Sequence, residues 1–245
     1  THALLIFVIL HLLVYPSSNG YNSYMDRDTG SIGGIENPKQ PTRELYRITI
    51  VMDILALLLS LVIGIYFFAG ILMFIAASRA YSYRGIRLKK YPIIGYLTVI
   101  IFQGALTFFI VYHGCSSSKT LNVSWSAMLG SAFLIGAFYP LTQIYQHEQD
   151  AADGVESISA KLGYRGTFIF SATVFIMAMA ALAWYFGNNL EMDSFLIIQL
   201  CMLPALIYFF WWMHKVFFNE KAANFKNTMT MNLVGSICSN TAFIT

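Results

Sequence analysis

Residues 43–82 read RELYRITIVMDILALLLSLVIGIYFFAGILMFIAASRAYS, forty positions with almost no polar break. As one helix rising about 1.5 Å per residue they would extend about 60 Å, twice a hydrocarbon core of roughly 30 Å. The stretch therefore reads as two membrane crossings that turn at Gly64. The same test applied outward from it finds further apolar stretches at 2–24, 92–113, 124–145, 165–187, 194–217 and 226–244, giving eight with 43–62 and 65–82.

Composition agrees with a chain that lives in lipid. Of 245 residues, 57% are hydrophobic and 11% charged, against roughly 25% charged in an ordinary soluble domain. That charge is too little to cover a water-facing surface, which disfavours a disordered chain and a soluble nucleic-acid binder. Cys115, Cys201 and Cys238 are odd in number and far apart, so they form no disulfide framework and no clustered zinc site. The expected fold is an all-α, polytopic membrane helix bundle, one domain over 1–245.

With strictly alternating crossings, loops 25–42, 83–91, 146–164 and 218–225 share one face, and loops 113–123 and 188–193 the other. Of the 15 Lys and Arg residues only Lys119 belongs to the second face, which leaves 14 in or beside the first. By the positive-inside rule the first face is cytoplasmic. The asymmetry also checks the count of crossings, because merging or splitting one span would scatter the charges. The chain opens at Thr1 inside one apolar run and stops inside another, which suggests a missing first helix.

The unusual polar residues gather on the basic face. In "SSNGYNSYMDRDTGSIGG", Asn22 and Asp26 are four apart and share a helical face, with Arg27 and Asp28 just beyond. In "YQHEQDAADG", Gln146, Asp150 and Gly154 repeat that spacing, and Glu148 and Asp153 stand nearby. Two acidic helix ends on one side suit a shared hard cation. Mg²⁺ takes one or two carboxylates and lets phosphate oxygens and water complete its shell, so a metal-bridged diphosphate is one reading. A solvated loop with capping carboxylates and a divalent-ion pathway in a transporter are the others. The segment "YSYRGIRLKKYP" adds Arg84, Arg87, Lys89 and Lys90, which are able to neutralise phosphate, although juxtamembrane basic runs also serve as topology signals.

The order of these three segments resembles the UbiA superfamily of intramembrane prenyltransferases, over nearly the whole chain. That resemblance implies nine transmembrane helices around a central cavity, of which about eight are present here, and two aspartate-rich motifs that hold Mg²⁺ and an isoprenyl diphosphate. Asn22 and Asp26 match the first motif; Asp150 and Gly154 match the second. It implies Asp26 and Asp150 as the catalytic pair; Asn22, Arg27, Arg87, Lys89 and Gln146 as diphosphate contacts; and Asp26, Asp28, Glu148, Asp150 and Asp153 as the pool of metal ligands. Two positions depart from the pattern: Gly30 stands where another Asp is common, and Gln146 where the second motif has its leading Asp. The implied partners are an isoprenyl diphosphate, a lipophilic or aromatic acceptor and membrane lipid, with no nucleic acid.

Asp53 lies about 15 Å along its helix from Arg43, a costly place for a carboxylate. It is expected to be neutral, hydrogen-bonded and facing the cavity; together with the acids of the basic face it also sustains the transporter alternative. His147 reads as a solvated interfacial histidine rather than a base.

Overall fold

The computed structural model describes residues 2–27 and 30–244. Among them are nine helices: α1 (His2–Asp26), α2 (Arg43–Ile63), α3 (Ile65–Ser82), α4 (Pro92–Cys115), α5 (Trp125–Gln143), the short α6 (His147–Ala152), α7 (Ile158–Asn188), α8 (Met192–Phe218) and α9 (Phe225–Ile244). Seven of them, α1 to α5, α7 and α8, are long and apolar enough to cross a membrane. The eighth long helix, α9, is 20 residues and more polar, carrying Asn227, Thr228, Thr230 and Asn232 along its first half. It packs along α8, where Tyr208 Oη donates to the Asn227 carbonyl at 3.3 Å.

The expected turn at Gly64 is present. This residue ends α2 and starts α3 with φ +150°, and its N–H donates to the Ser60 carbonyl at 3.2 Å. A side chain is strongly disfavoured there, so glycine lets two apolar helices meet without a loop.

Each half of the bundle has its own apolar core. Ile9, Val14, Phe67, Ile71, Phe74 and Ile110 close the first, from α1 to α4. Phe168, Met202, Phe209, Trp212 and Val216 form the second, which also takes Leu141 of α5 and Met231 of α9. Outward positions are equally apolar; Leu58, Val62, Ile65, Ile176, Leu200 and Ile207 are exposed over the helices. A continuous apolar exterior of this kind faces lipid, not water. The polar side chains turn inward instead, among them Ser17, Thr49, Ser60, Ser126 and Thr167, all buried.

Four irregularities shape the interior. Val8–Val14 of α1 and Ile100–Leu106 of α4 are π-helical, a widening found often near functional sites. Pro140 inside α5 has no N–H to give to the Gly136 carbonyl, and the Tyr96 hydroxyl of α4 donates to that carbonyl at 3.3 Å. In α7 the backbone breaks at Gly163 (φ 68°, ψ 174°), so the crossing proper begins just after it, where the sequence places it.

Candidate active site at the mouth of the central cavity

A cavity of about 530 Å³ lies between the two halves, lined from α1, α3 and α4 on one side and α5, α6 and α9 on the other. Its mouth is built from two helix ends. At the first, α1 stops because Arg27 adopts the left-handed conformation (φ 54°) and returns its N–H to the Ser23 carbonyl at 3.0 Å. Arg84 covers the last carbonyls, with Nε to Met25 O at 2.8 Å and a terminal nitrogen to Asp26 O at 3.3 Å; this is the capping role of a cation at a helix C-terminus. Asn22 and Asp26, one turn apart, both line the cavity. Ser82 Oγ of α3 donates to Asn22 Oδ1 at 2.7 Å and fixes the amide.

The second end is α6. Gln146 precedes it and donates from Nε2 to the Ser31 carbonyl at 3.3 Å. Gly154 ends it in a left-handed conformation (φ 69°), which lets the Val155 N–H reach back to the Asp150 carbonyl at 2.8 Å. Gln146 and Asp150 face the same cavity as Asn22 and Asp26. Ile32 and Ile35 exchange backbone hydrogen bonds of 2.9 and 2.6 Å in a tight loop against the mouth.

The basic loop closes the arrangement. Lys89 is ion-paired with Asp26 and lines the cavity. Arg87 is buried, ion-paired with Asp153 and 3.7 Å from Asp26 Oδ1. Desolvation pushes the Asp153 carboxyl up, but its hydrogen bond to Arg87 and the charges of Arg87, Arg84 and Lys89 outweigh this and hold it below the usual carboxylate range. Two polar atoms here are buried without a hydrogen-bond partner, Asp26 Oδ1 and Arg87 Nε. An orphaned carboxylate oxygen and an orphaned guanidinium N–H at one place fit a metal-bearing anion.

The structure thus brings Asn22, Asp26, Lys89, Gln146 and Asp150 to one cavity, with Arg87 directly behind. It does not bring all the candidates there. Arg27 is exposed and lies against the Tyr24 ring, its guanidinium 5.9 Å from the ring centre. Glu148 is exposed, and Asp153 turns to Arg84 and Arg87 rather than into the cavity. Asp28 lies outside the described residues. Among the described residues no three His, Cys, Asp or Glu side chains converge as a metal cage. Asp26 and Asp150 nonetheless fit Mg²⁺, which uses one or two carboxylates plus substrate phosphate. At Gly30 a side chain would meet Gln149, its Cβ 2.6 Å from Oε1, so the glutamine end fills the space of a first-motif side chain.

Asp53 differs from expectation. It is ion-paired with Arg79 of α3 and accepts from Ser17 Oγ of α1 at 2.6 Å. Arg79 also sits 3.9 Å from the centre of the Tyr21 ring. The carboxylate carries a countercharge, joins three helices and does not line the cavity, so the transporter reading loses its intramembrane acid. His147 is half-buried, stacked on Tyr164 at 4.8 Å and bonded through Nε2 to Ser159 Oγ at 2.8 Å. Burial pushes its imidazole down to about 4.

Sequence reasoning missed the inner lining. Tyr81, Tyr139 and Gln143 form one hydrogen-bonded group facing the cavity. The i, i+4 spacing of Tyr139 and Gln143, followed by Gln146, is the signal that marks a polar stripe on an apolar helix.

The model of the UbiA prenyltransferase family matches residues 1–234; the chain belongs to that family. No curated protein matches it in sequence. A UbiA homolog from Archaeoglobus fulgidus bound to Cd²⁺ superposes with TM-score 0.68 at 19% identity, over 99% of this chain and 86% of that one. The same organism's UbiA homolog bound to DMAPP and Mg²⁺ gives 0.69 at 18% identity, over 99% and 85%. A digeranylgeranylglyceryl phosphate synthase structure gives 0.62 at 19%, over 99% and 85%. The superpositions establish the shared polytopic fold.

Proposed function

We propose that this member of the UbiA prenyltransferase family transfers an isoprenyl group from its diphosphate to a lipophilic or aromatic acceptor, in the cavity between the two halves of the bundle and with Mg²⁺. The observation that carries the reading is the shared mouth: Asp26 and Asp150 come from separate helix ends, face one cavity with Lys89, and leave Asp26 Oδ1 without a hydrogen-bond partner. The solved relative that binds DMAPP and Mg²⁺ supports it. The excess of Lys and Arg on this face supports a cytoplasmic mouth.

The geometry supports the following roles. Asp26 and Asp150 hold the cation, with Asn22 and Gln146 beside them as neutral oxygen and nitrogen contacts. Bound Mg²⁺ supplies charge to the departing diphosphate. Lys89, and Arg87 through its unused Nε, add positive charge where the leaving oxygen becomes negative. The C1–O bond breaks with its electron pair leaving on the diphosphate; an electron pair of the acceptor bonds C1, and the acceptor loses a proton. Phe74, Val99 and Phe102, deeper in the cavity, exclude water from the allylic carbon in between.

The test supplies the purified protein with radiolabelled geranylgeranyl diphosphate, Mg²⁺ and an organic extract of membranes as the acceptor source. The reading expects label in a new lipophilic product with one diphosphate released per transfer, both abolished by EDTA. Intact labelled diphosphate after incubation with folded protein would overturn it.

A further inference from the structure

We propose that Gln143, held by Tyr139 and Tyr81, is the hydrogen-bonding anchor for the acceptor, and that the acceptor it selects is an uncharged lipophile bearing a hydroxyl group. The inference rests on the prenyltransferase reading and specifies the substrate class of the same cavity.

The cavity has two chemically distinct regions. Its mouth is charged, with Asp26, Lys89 and Asp150. Its interior has apolar walls, Phe74 and Phe102 among them, and its polar groups are all neutral. At about 530 Å³ the cavity as a whole falls within the size of sites that enclose a drug-sized molecule.

In that interior one fully buried side-chain polar atom has no hydrogen-bond partner. Tyr139 and Gln143 share a face of α5, and Gln143 Nε2 donates to the Tyr139 hydroxyl at 2.9 Å. The Tyr139 hydroxyl is itself hydrogen-bonded to that of Tyr81, on α3 of the opposite half. The amide is therefore oriented from across the cavity, its nitrogen engaged, and its Oε1 is buried with no hydrogen-bond partner. A buried acceptor atom in this condition is costly, and it is satisfied by a ligand that brings a donor. A hydroxyl does so; an ether or a ketone does not.

Charge decides the rest. Lys89 is the one cation lining the cavity among the described residues, and it is paired with Asp26 at the mouth that the diphosphate needs. An acceptor carrying its own carboxylate into the interior would bury an unpaired anion.

The test uses the full chain in lipid nanodiscs with Mg²⁺ and geranylgeranyl S-thiolodiphosphate, and follows naphthalene fluorescence against empty nanodiscs. The probes are 2-naphthol, 2-methoxynaphthalene and 2-naphthoate. The expected result is binding of 2-naphthol at least fivefold tighter than either analogue. Gln143→Leu removes the preference over 2-methoxynaphthalene but not that over 2-naphthoate, which charge alone sets, and Tyr139→Phe, which only frees the amide, reduces the former. Equal binding of the three probes by the unaltered protein, or a preference for 2-naphthol over 2-methoxynaphthalene that survives Gln143→Leu, overturns the proposal. Binding of the thiolodiphosphate is read separately: its absence in the unaltered protein counts against the prenyltransferase reading, whereas its presence alongside equal probe binding sinks the acceptor anchor alone.

Discussion

Lys89 of the loop after α3 is ion-paired with Asp26 at the C-terminal end of α1, and Lys89 and Asp26 both line the central cavity. A lysine resting on the carboxylate assigned to the metal competes with a free cation, yet it stands where a diphosphate needs positive charge. Replacing Lys89 by Met is therefore expected to act in opposite directions on the two ligands. Mn²⁺ alone, followed by its electron paramagnetic resonance signal, binds more tightly. A prenyl thiolodiphosphate binds about tenfold more weakly, the loss of roughly 1.4 kcal/mol of charge-assisted bonding. Weakening of both ligands would show that Lys89 supports the fold rather than occupying the metal's place.

The Asp53 and Arg79 pair makes a stability prediction. Their side chains are only 11% and 18% exposed, so removing one charge leaves the other largely buried. Asp53→Asn is expected to cost about 3 kcal/mol, read as a lower thermal midpoint in detergent by tryptophan fluorescence. Asp53→Leu combined with Arg79→Leu recovers much of that loss, because no lone charge remains. An unchanged midpoint in Asp53→Asn would contradict the clamp.

His147 gives a pH signature. Its folded value of about 4 lies below the unfolded value near 6.5, so between those limits the unfolded chain binds the extra proton. Stability is complete above about pH 6.5 and falls as pH drops toward 4, with a slope on the order of 1 kcal/mol per unit or less, since the ring is partly solvated. His147→Gln is expected to flatten the decline between pH 6.5 and 5 relative to the unaltered protein. Parallel curves for the two proteins would mean that the ring is not buried as described.

Some of this was legible in the residues alone. Residues 43–82, forty positions and mostly apolar, exceed one crossing, so the turn at Gly64 followed from length, and Asn22, Asp26 and Asp150 announced themselves by spacing. What stayed hidden depends on side chains meeting across helices. Asp53 and Arg79 belong to different helices and nothing near either names its partner. Ser18 with Asn22 on α1 and Ser78 with Ser82 on α3 do repeat a four-residue step, and those pairs face each other, at 2.6 Å for the serines and 2.7 Å for Asn22 and Ser82. Tyr81 and Tyr139 carry no sequence signal of their own, because aromatic residues serve lipid and cavity alike. The π-helical segments leave no compositional trace.

The central claim is that two aspartates from separate helix ends hold one metal-bridged diphosphate. The most direct measurement is equilibrium binding of geranylgeranyl S-thiolodiphosphate to the detergent-purified protein, with Mg²⁺ or EDTA, for the unaltered chain, Asp26→Asn and Asp150→Asn. The account predicts at least tenfold tighter binding with Mg²⁺ in the unaltered chain, and loss of that metal dependence in each variant. Binding indifferent to Mg²⁺, or metal dependence that survives both substitutions, would contradict it.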